Sequence, residues 1–185
     1  MLKQGDVAPA FELESDAGTI VRSKDLAGTR YVIYFYPKDS TPGCTREAQA
    51  FSADRARFEA IGVPVHGVSK DSVKSHGSFR DTYALTIPLL SDPTLALHKA
   101  YGAYGEKVMY GKKVLGVVRS TFVVGADGVI ERAWPSVKVD GHADQVLAFL
   151  DAGAVEEPAA EEPAPKAPAA KKPGAAKKPA KKGAS

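Results

Sequence analysis

A single cysteine in the whole chain excludes an internal disulfide framework and any metal site built on clustered cysteines. No run approaches the roughly 18 apolar residues that cross a membrane. The opening, MLKQGDVAPAFELESD, is acidic and interrupted where a signal peptide would be basic and then apolar. A phosphate loop, a dinucleotide fingerprint and a Gly-x-Ser-x-Gly elbow are all missing. The four histidines, His66, His76, His98 and His142, stand without metal-ligand spacing, and Asp127-Gly128 reads as a turn rather than a calcium loop. These absences predict a soluble, cytoplasmic protein with no membrane partner, no metal and no cofactor.

What is present fits one ordinary domain. The chain has 185 residues, 44% hydrophobic and 25% charged, enough to bury a sizeable core. Its net charge of +3 is unevenly placed. Of the 25 Lys+Arg and 22 Asp+Glu, 7 and 4 lie in 154–185, leaving 18 of each in 1–153. Glu156, Glu157, Glu161 and Glu162 come first in that stretch, and every lysine from Lys166 to Lys182 follows. Six of the 13 prolines lie there too, with no aromatic residue and only Val155 as a large aliphatic. Such a composition cannot offset the entropy of ordering, so we read 154–185 as a disordered extension to a domain at 1–153. The Ala-Lys-Pro run resembles linker-histone tails, which implies weak, non-specific nucleic-acid contact through 166–185; a solubilising tail is the simpler reading.

Within 1–153, Val32–Tyr36 is a short β-branched and aromatic run ended by Pro37, as a buried strand would be. Apolar positions from Gly43 to Ile61 recur at helical spacing and stop at Gly62. Val63–Ser69 predicts a second strand, and Asp71 to Tyr83 a helix opening on an Asp71 cap. Pro88–Leu90 predicts a short strand, and Leu95–Tyr101 a helix capped by the preceding Ser-Asp-Pro-Thr. Thr121–Val124 and Val129–Trp134 read as a hairpin turning at Asp127-Gly128, and Asp144–Leu150 as a closing helix. Residues 108–118 are compatible with a loop, a strand pair or a dimer contact. The order predicts an α/β domain with a mixed sheet flanked by helices.

The most informative stretch runs from Tyr34 to Glu47. It leaves the first strand, turns through Pro37 to Gly43 and enters a helix, with Thr41 at the N-cap and Pro42 at the first helical position. Cys44 therefore lies in the first helical turn, where unpaired N–H groups and the helix dipole favour an anion such as a thiolate. A thiolate is the nucleophile of redox and acyl-transfer chemistry. A lone cysteine can equally be an inert apolar filler, although a capping loop of Pro, Ser, Thr and Gly is a poor place to bury one.

Pro37-x-x-x-Thr41-x-x-Cys44 matches the active-site signature of peroxiredoxins, and Tyr36-Pro37 … Thr41-Pro42-Gly43-Cys44-Thr45-x-Glu47 resembles their bacterioferritin-comigratory, or Q-type, branch. Gly5-Asp6-x-Ala8-Pro9-x-Phe11-x-Leu13, Gly67-Val68-Ser69, Leu90-Ser91-Asp92 and Arg119-Ser120-Thr121-Phe122 are similar to further family segments, in the same order. The resemblance implies a thioredoxin-like fold with an N-terminal extension. It also implies reduction of hydrogen peroxide and organic hydroperoxides through a Cys44 sulfenic acid. On the same resemblance, Arg119 would stabilise the thiolate and donate to the peroxide. Thr41 and the N–H groups of Gly43 and Cys44 would hold the peroxide oxygens. Pro37 would shield the sulfur from water, and Glu47, on the Cys44 face of the helix, would orient Arg119.

One departure matters. Many Q-type relatives carry a resolving cysteine where this chain has Gln49, so the sulfenic acid is expected to need an external thiol such as thioredoxin, glutaredoxin or a low-molecular-weight thiol. A disulfide between two Cys44 residues would require two chains to meet, and the expected state is a monomer or weak dimer. Two other functions compete. A thiol-disulfide oxidoreductase would ordinarily show Cys-x-x-Cys, which is absent; a DNA-associated binding protein would act through the Lys-rich tail.

Overall fold

The computed structural model describes residues 1–109 and 112–152. The boundary expected at 153, the extension 154–185 and Tyr110 lie outside the described residues. Nine strands and five helices follow one another as β1 (Glu12–Ser15), β2 (Ile20–Arg22), β3 (Tyr31–Phe35), α1 (Pro42–Ala53), α2 (Arg55–Ala60), β4 (Val65–Ser69), α3 (Val73–Tyr83), β5 (Leu89–Ser91), α4 (Ala96–Ala100), β6 (Tyr104–Met109), β7 (Lys112–Val117), β8 (Ser120–Val124), β9 (Ile130–Trp134) and α5 (His142–Asp151). A short 3₁₀ turn, Ser23–Leu26, follows β2.

Seven strands form one mixed sheet in the order β2-β1-β5-β4-β3-β8-β9. β3, β4 and β5 are parallel; β1 joins β5, β8 joins β3 and β9 joins β8, all antiparallel. The fold is thioredoxin-like, and the β1–β2 hairpin extends it at the N-terminus. β3 is buried along its whole length, and its alternation divides the interior. Val32, Tyr34 and Tyr36 enter a core with residues of α1, α2, α3 and α5, whereas Tyr31, Ile33 and Phe35 enter a second core with Phe11, Leu97, Tyr101 and Phe122. That is why the strand reads as a continuous apolar run. No helix among the described residues is long and apolar enough to cross a membrane.

Several expectations need correction. The helix expected over 43–61 is two, because Asp54 leaves the helical path (φ −91°, ψ 4°) and its carbonyl accepts from the N–H groups of Arg57 and Phe58 to start α2. The cap of α3 is Ser72, whose hydroxyl accepts from the Ser75 N–H; Asp71 is engaged elsewhere. α4 opens on Leu95 in the left-handed region (φ 58°), and the Asp92 carboxylate serves the helix by accepting from Ala96 and His98 N–H groups. For 108–118 the strand pair, one of the three readings, is what the described residues form: β6 runs antiparallel to β7, separate from the main sheet. β1 and β2 form where the sequence predicts no strand, β1 pairing with both β2 and β5.

Gly67 shows how closely this interior is built. A β-carbon there would lie 2.6 Å from Tyr34 Oη and 3.0 Å from Leu89 Cδ2. Tyr34 is itself fully buried, stacked on Phe51 at 4.8 Å and on Tyr36 at 5.6 Å, so it has no free direction in which to yield. Gly67→Ala should therefore cost about 1–3 kcal/mol by overpacking, read as a lower midpoint in chemical denaturation at an unchanged slope.

Candidate active site

The sheet brings the two halves of the site together at one end. β3 and β8 are antiparallel, and Phe35, the last residue of β3, pairs with Ser120, the first of β8. The loop that leaves β3 toward Cys44 therefore departs where the chain arrives through Arg119. Arg119 is fixed in the backbone by its own carbonyl, which accepts from the Val137 N–H at 3.1 Å.

Thr41 occupies the N-cap position of α1 with extended backbone (φ −90°, ψ 148°), and Pro42 begins the helix, as the sequence predicted. The Thr41 hydroxyl, however, does not cap; it donates to the Lys38 carbonyl at 3.0 Å. The Thr41 carbonyl accepts from the Thr45 N–H. Among the described residues the N–H groups of Gly43 and Cys44 take no partner, which leaves the electropositive end of α1 uncompensated beside the sulfur. Pro37 is half-buried at the turn out of β3.

Cys44 is 1% exposed, within the core that α1 shares with α5. Arg119 Nη2 lies 3.2 Å from its Sγ, and Arg119 Nη1 donates to Glu47 Oε2. The same guanidinium thus meets the thiol with one nitrogen and the carboxylate with the other. Gly43 permits the approach, since a β-carbon at that position would stand 3.3 Å from Arg119 Nη2. Glu47 is also 1% exposed; burial pushes its carboxyl up to about 7 against the opposing charge and hydrogen bond of Arg119. Burial works to lower Arg119, but the neighbouring Glu47 and Cys44 outweigh it and hold the guanidinium above its ordinary value. The Glu47 carboxylate thus faces Arg119 in the interior rather than solvent.

Of the six residues singled out in the sequence, Cys44, Arg119, Glu47 and Gly43 converge on one point, and Thr41 and Pro37 flank it in the connecting loop. Sequence reading gave no part to His142, Asp39 or His76. His142 Nε2 sits 2.8 Å from Thr121 Oγ1 behind Arg119, and burial, then the Arg119 charge, lower its pKa to about 4, leaving a neutral ring there. Nothing in its spacing could have flagged it. Asp39 lies inside the motif, yet the partner that makes it informative, His76, comes from α3.

A buried sulfur at a helix N-terminus with a guanidinium against it, on a thioredoxin-like sheet, defines the class as thiol peroxidase. Known proteins agree. The AhpC/TSA family matches residues 4–133. The putative peroxiredoxin bcp of Coxiella burnetii is 44% identical over 149 residues, covering 80% of this chain and 99% of that protein. Among solved structures, Xanthomonas campestris Peroxiredoxin Q superposes with a TM-score of 0.74 at 49% identity over 78% of this chain and 91% of its own. The bacterioferritin comigratory protein of the same organism, studied for its alkyl peroxide reduction activity, has a TM-score of 0.74 at 48% identity over 78% and 92%. Two further Xanthomonas Peroxiredoxin Q structures replace cysteine by serine at two different positions, so that relative has at least two cysteines where this chain has one. This chain belongs to the AhpC/TSA family and is a peroxiredoxin of its Bcp, or Q-type, branch.

Proposed function

We propose that Cys44 is the attacking thiol, that both hydrogen peroxide and organic hydroperoxides are substrates, and that an external thiol completes each cycle. The observation carrying this reading is the 3.2 Å contact of Arg119 Nη2 with Cys44 Sγ at the open N-terminus of α1. The thiolate attacks one peroxide oxygen; the O–O bond breaks, sulfur is oxidised to sulfenic acid, and the departing alkoxide or hydroxide takes a proton to leave as alcohol or water. Arg119 offsets charge on sulfur and donates to the peroxide, while the Gly43 and Cys44 N–H groups face the oxygens as charge moves. The Thr41 hydroxyl, whose proton is held by the Lys38 carbonyl, keeps its lone pairs free to accept from the peroxide, Pro37 adds no N–H that would hold water, and Glu47 orients Arg119.

With no second cysteine, the sulfenic acid condenses with an external thiol, releasing water and forming a mixed disulfide. A second thiol then releases Cys44 and leaves as a disulfide with the first. Thioredoxin, glutaredoxin and glutathione are the candidate donors, and the cytoplasm, where they are kept reduced, is the compartment we assign. In the test, purified protein mixed with one equivalent of hydrogen peroxide and no thiol should consume it in a single fast phase, and a second equivalent added at once should be consumed far more slowly. Each donor is then added in turn, and resumed consumption with a trapped mixed disulfide identifies the reductant. Sustained turnover without any thiol would overturn the scheme.

A further inference from the structure

We propose that Asp39 and His76 form a positioning pair that sets the loop carrying Pro37 and Thr41 against Cys44. The inference rests on the reading of Cys44 as the attacking thiol. Between Pro37 and Thr41 only Asp39 is buried; Lys38 and Ser40 are exposed. Ser40 holds a left-handed backbone (φ 57°), which a residue other than glycine keeps only where the surroundings impose it.

The surroundings are polar and specific. The Asp39 carboxylate accepts from the Tyr36 hydroxyl at 2.8 Å and the Ser75 hydroxyl at 2.7 Å, and it meets His76 Nδ1 at 2.9 Å. The Asp39 N–H donates to Asp71 Oδ2 at 2.9 Å, and that same oxygen accepts from the Ser69 hydroxyl at 2.8 Å. His76, with no exposed surface, turns its other nitrogen to the Leu90 carbonyl at 3.3 Å. One carboxylate in the thiol loop is thus joined to the residue after β3 and to the first turn of α3, and through its N–H and His76 to the end of β4 and the middle of β5. Burial alone would raise the Asp39 carboxyl, but hydrogen bonds from His76 and Ser75 outweigh it and hold it below the ordinary value. Three donors converging on one buried carboxylate fix its place more firmly than a loop of exposed residues could fix itself.

A second buried pair supplies the control. His98 Nδ1 meets Asp92 Oδ2 at 2.7 Å, equally buried, but beside Phe35 in the other core. It shares the chemistry of the first pair, and among the described residues its side chains make no hydrogen bond to the thiol loop; its one tie to the Asp39 network is through backbone, the Asp92 N–H on the Ser69 carbonyl at 2.8 Å.

The test measures two reactions of Cys44 in the full-length protein: with hydrogen peroxide by stopped flow, and with iodoacetamide, an alkylating agent that needs the thiolate but no peroxide geometry. Asp39→Asn and His76→Gln should each slow the peroxide reaction about tenfold or more, with alkylation within about twofold of the parent. Their double variant should be no slower than the worse single one. His98→Gln should lower the melting temperature and leave the peroxide rate unchanged. The proposal is overturned if folded variants keep the parental peroxide rate, if both reactions slow together, or if His98→Gln slows peroxide as much as His76→Gln. Should the first two variants fail to fold, Ser75→Ala, which removes one donor of three, is judged by the same criteria. Cys44→Ser is run alongside. Activity surviving there defeats the reading of Cys44 itself, whereas its loss combined with unaffected Asp39 and His76 variants defeats the positioning pair alone.

Discussion

Serine in place of Cys44 should abolish peroxide consumption with every thiol donor. The substitution exchanges one small buried atom for another, so the core shared with α1 and α5 keeps its shape and the fold should survive. What disappears is the chemistry. An alcohol is not ionised beside Arg119 as a thiol can be, and an oxygen nucleophile has no stable counterpart of the sulfenic acid to hand on to a reductant. The chain has no other sulfur nucleophile to take over, since Cys44 is its single cysteine. The check is peroxide disappearance with thioredoxin, glutaredoxin and glutathione in turn, beside a thermal melt of the same preparation. A folded Cys44→Ser protein with parental activity would falsify the assignment.

Arg119→Met should be the next most damaging change, lowering the rate constant for peroxide by about 10²–10³, as loss of one preorganised donor to developing charge does elsewhere. Methionine approximates the length of the arginine stem and removes both hydrogen bonds. Its second effect falls on Glu47. In the parent, burial raises the Glu47 carboxyl to about 7 while Arg119 works against the rise. Without that opposing charge the carboxyl is driven higher still, and the folded state holds a proton that the unfolded chain has already released. Stability then falls as pH rises above the unfolded carboxyl's range, and in the variant it continues to fall where the parent has levelled off. The destabilisation by Arg119→Met should thus grow between about pH 6 and about pH 9. Thermal melts of both proteins across that range give the measurement, and an equal difference at every pH would refute the argument.

Much of this site was legible in the sequence because its signals are local. Thr41-Pro42 announces a helix start, so the place of Cys44 in the first turn followed from two neighbours. β3 was legible because both its faces are buried. β1 and β2 were not, since Glu12–Ser15 and Ile20–Arg22 are too short and too exposed to show alternation, and the pairing of β1 with β5 and of β2 with β1 defines them. The break at Asp54 escaped notice because apolar positions continue at helical spacing across it. The residue type of Asp71 suggests a cap; what it does depends on the Asp39 N–H, 32 residues away, which no local window contains. Glu47 was placed on the correct helix face, but its burial depends on Arg119 arriving from a distant strand end.

That arrival is governed by the ladder between β3 and β8, in which Phe35 stands opposite Ser120. A slip of one residue would turn both cores inside out and would not survive. A slip of two would keep every apolar side chain on its proper face while carrying Arg119 about 7 Å away from the sulfur. Such a chain could be compact, helical and well packed, and still chemically silent. Titrating the fraction of molecules that react with peroxide is therefore a stricter assay of native registry in this protein than any spectrum of its secondary structure.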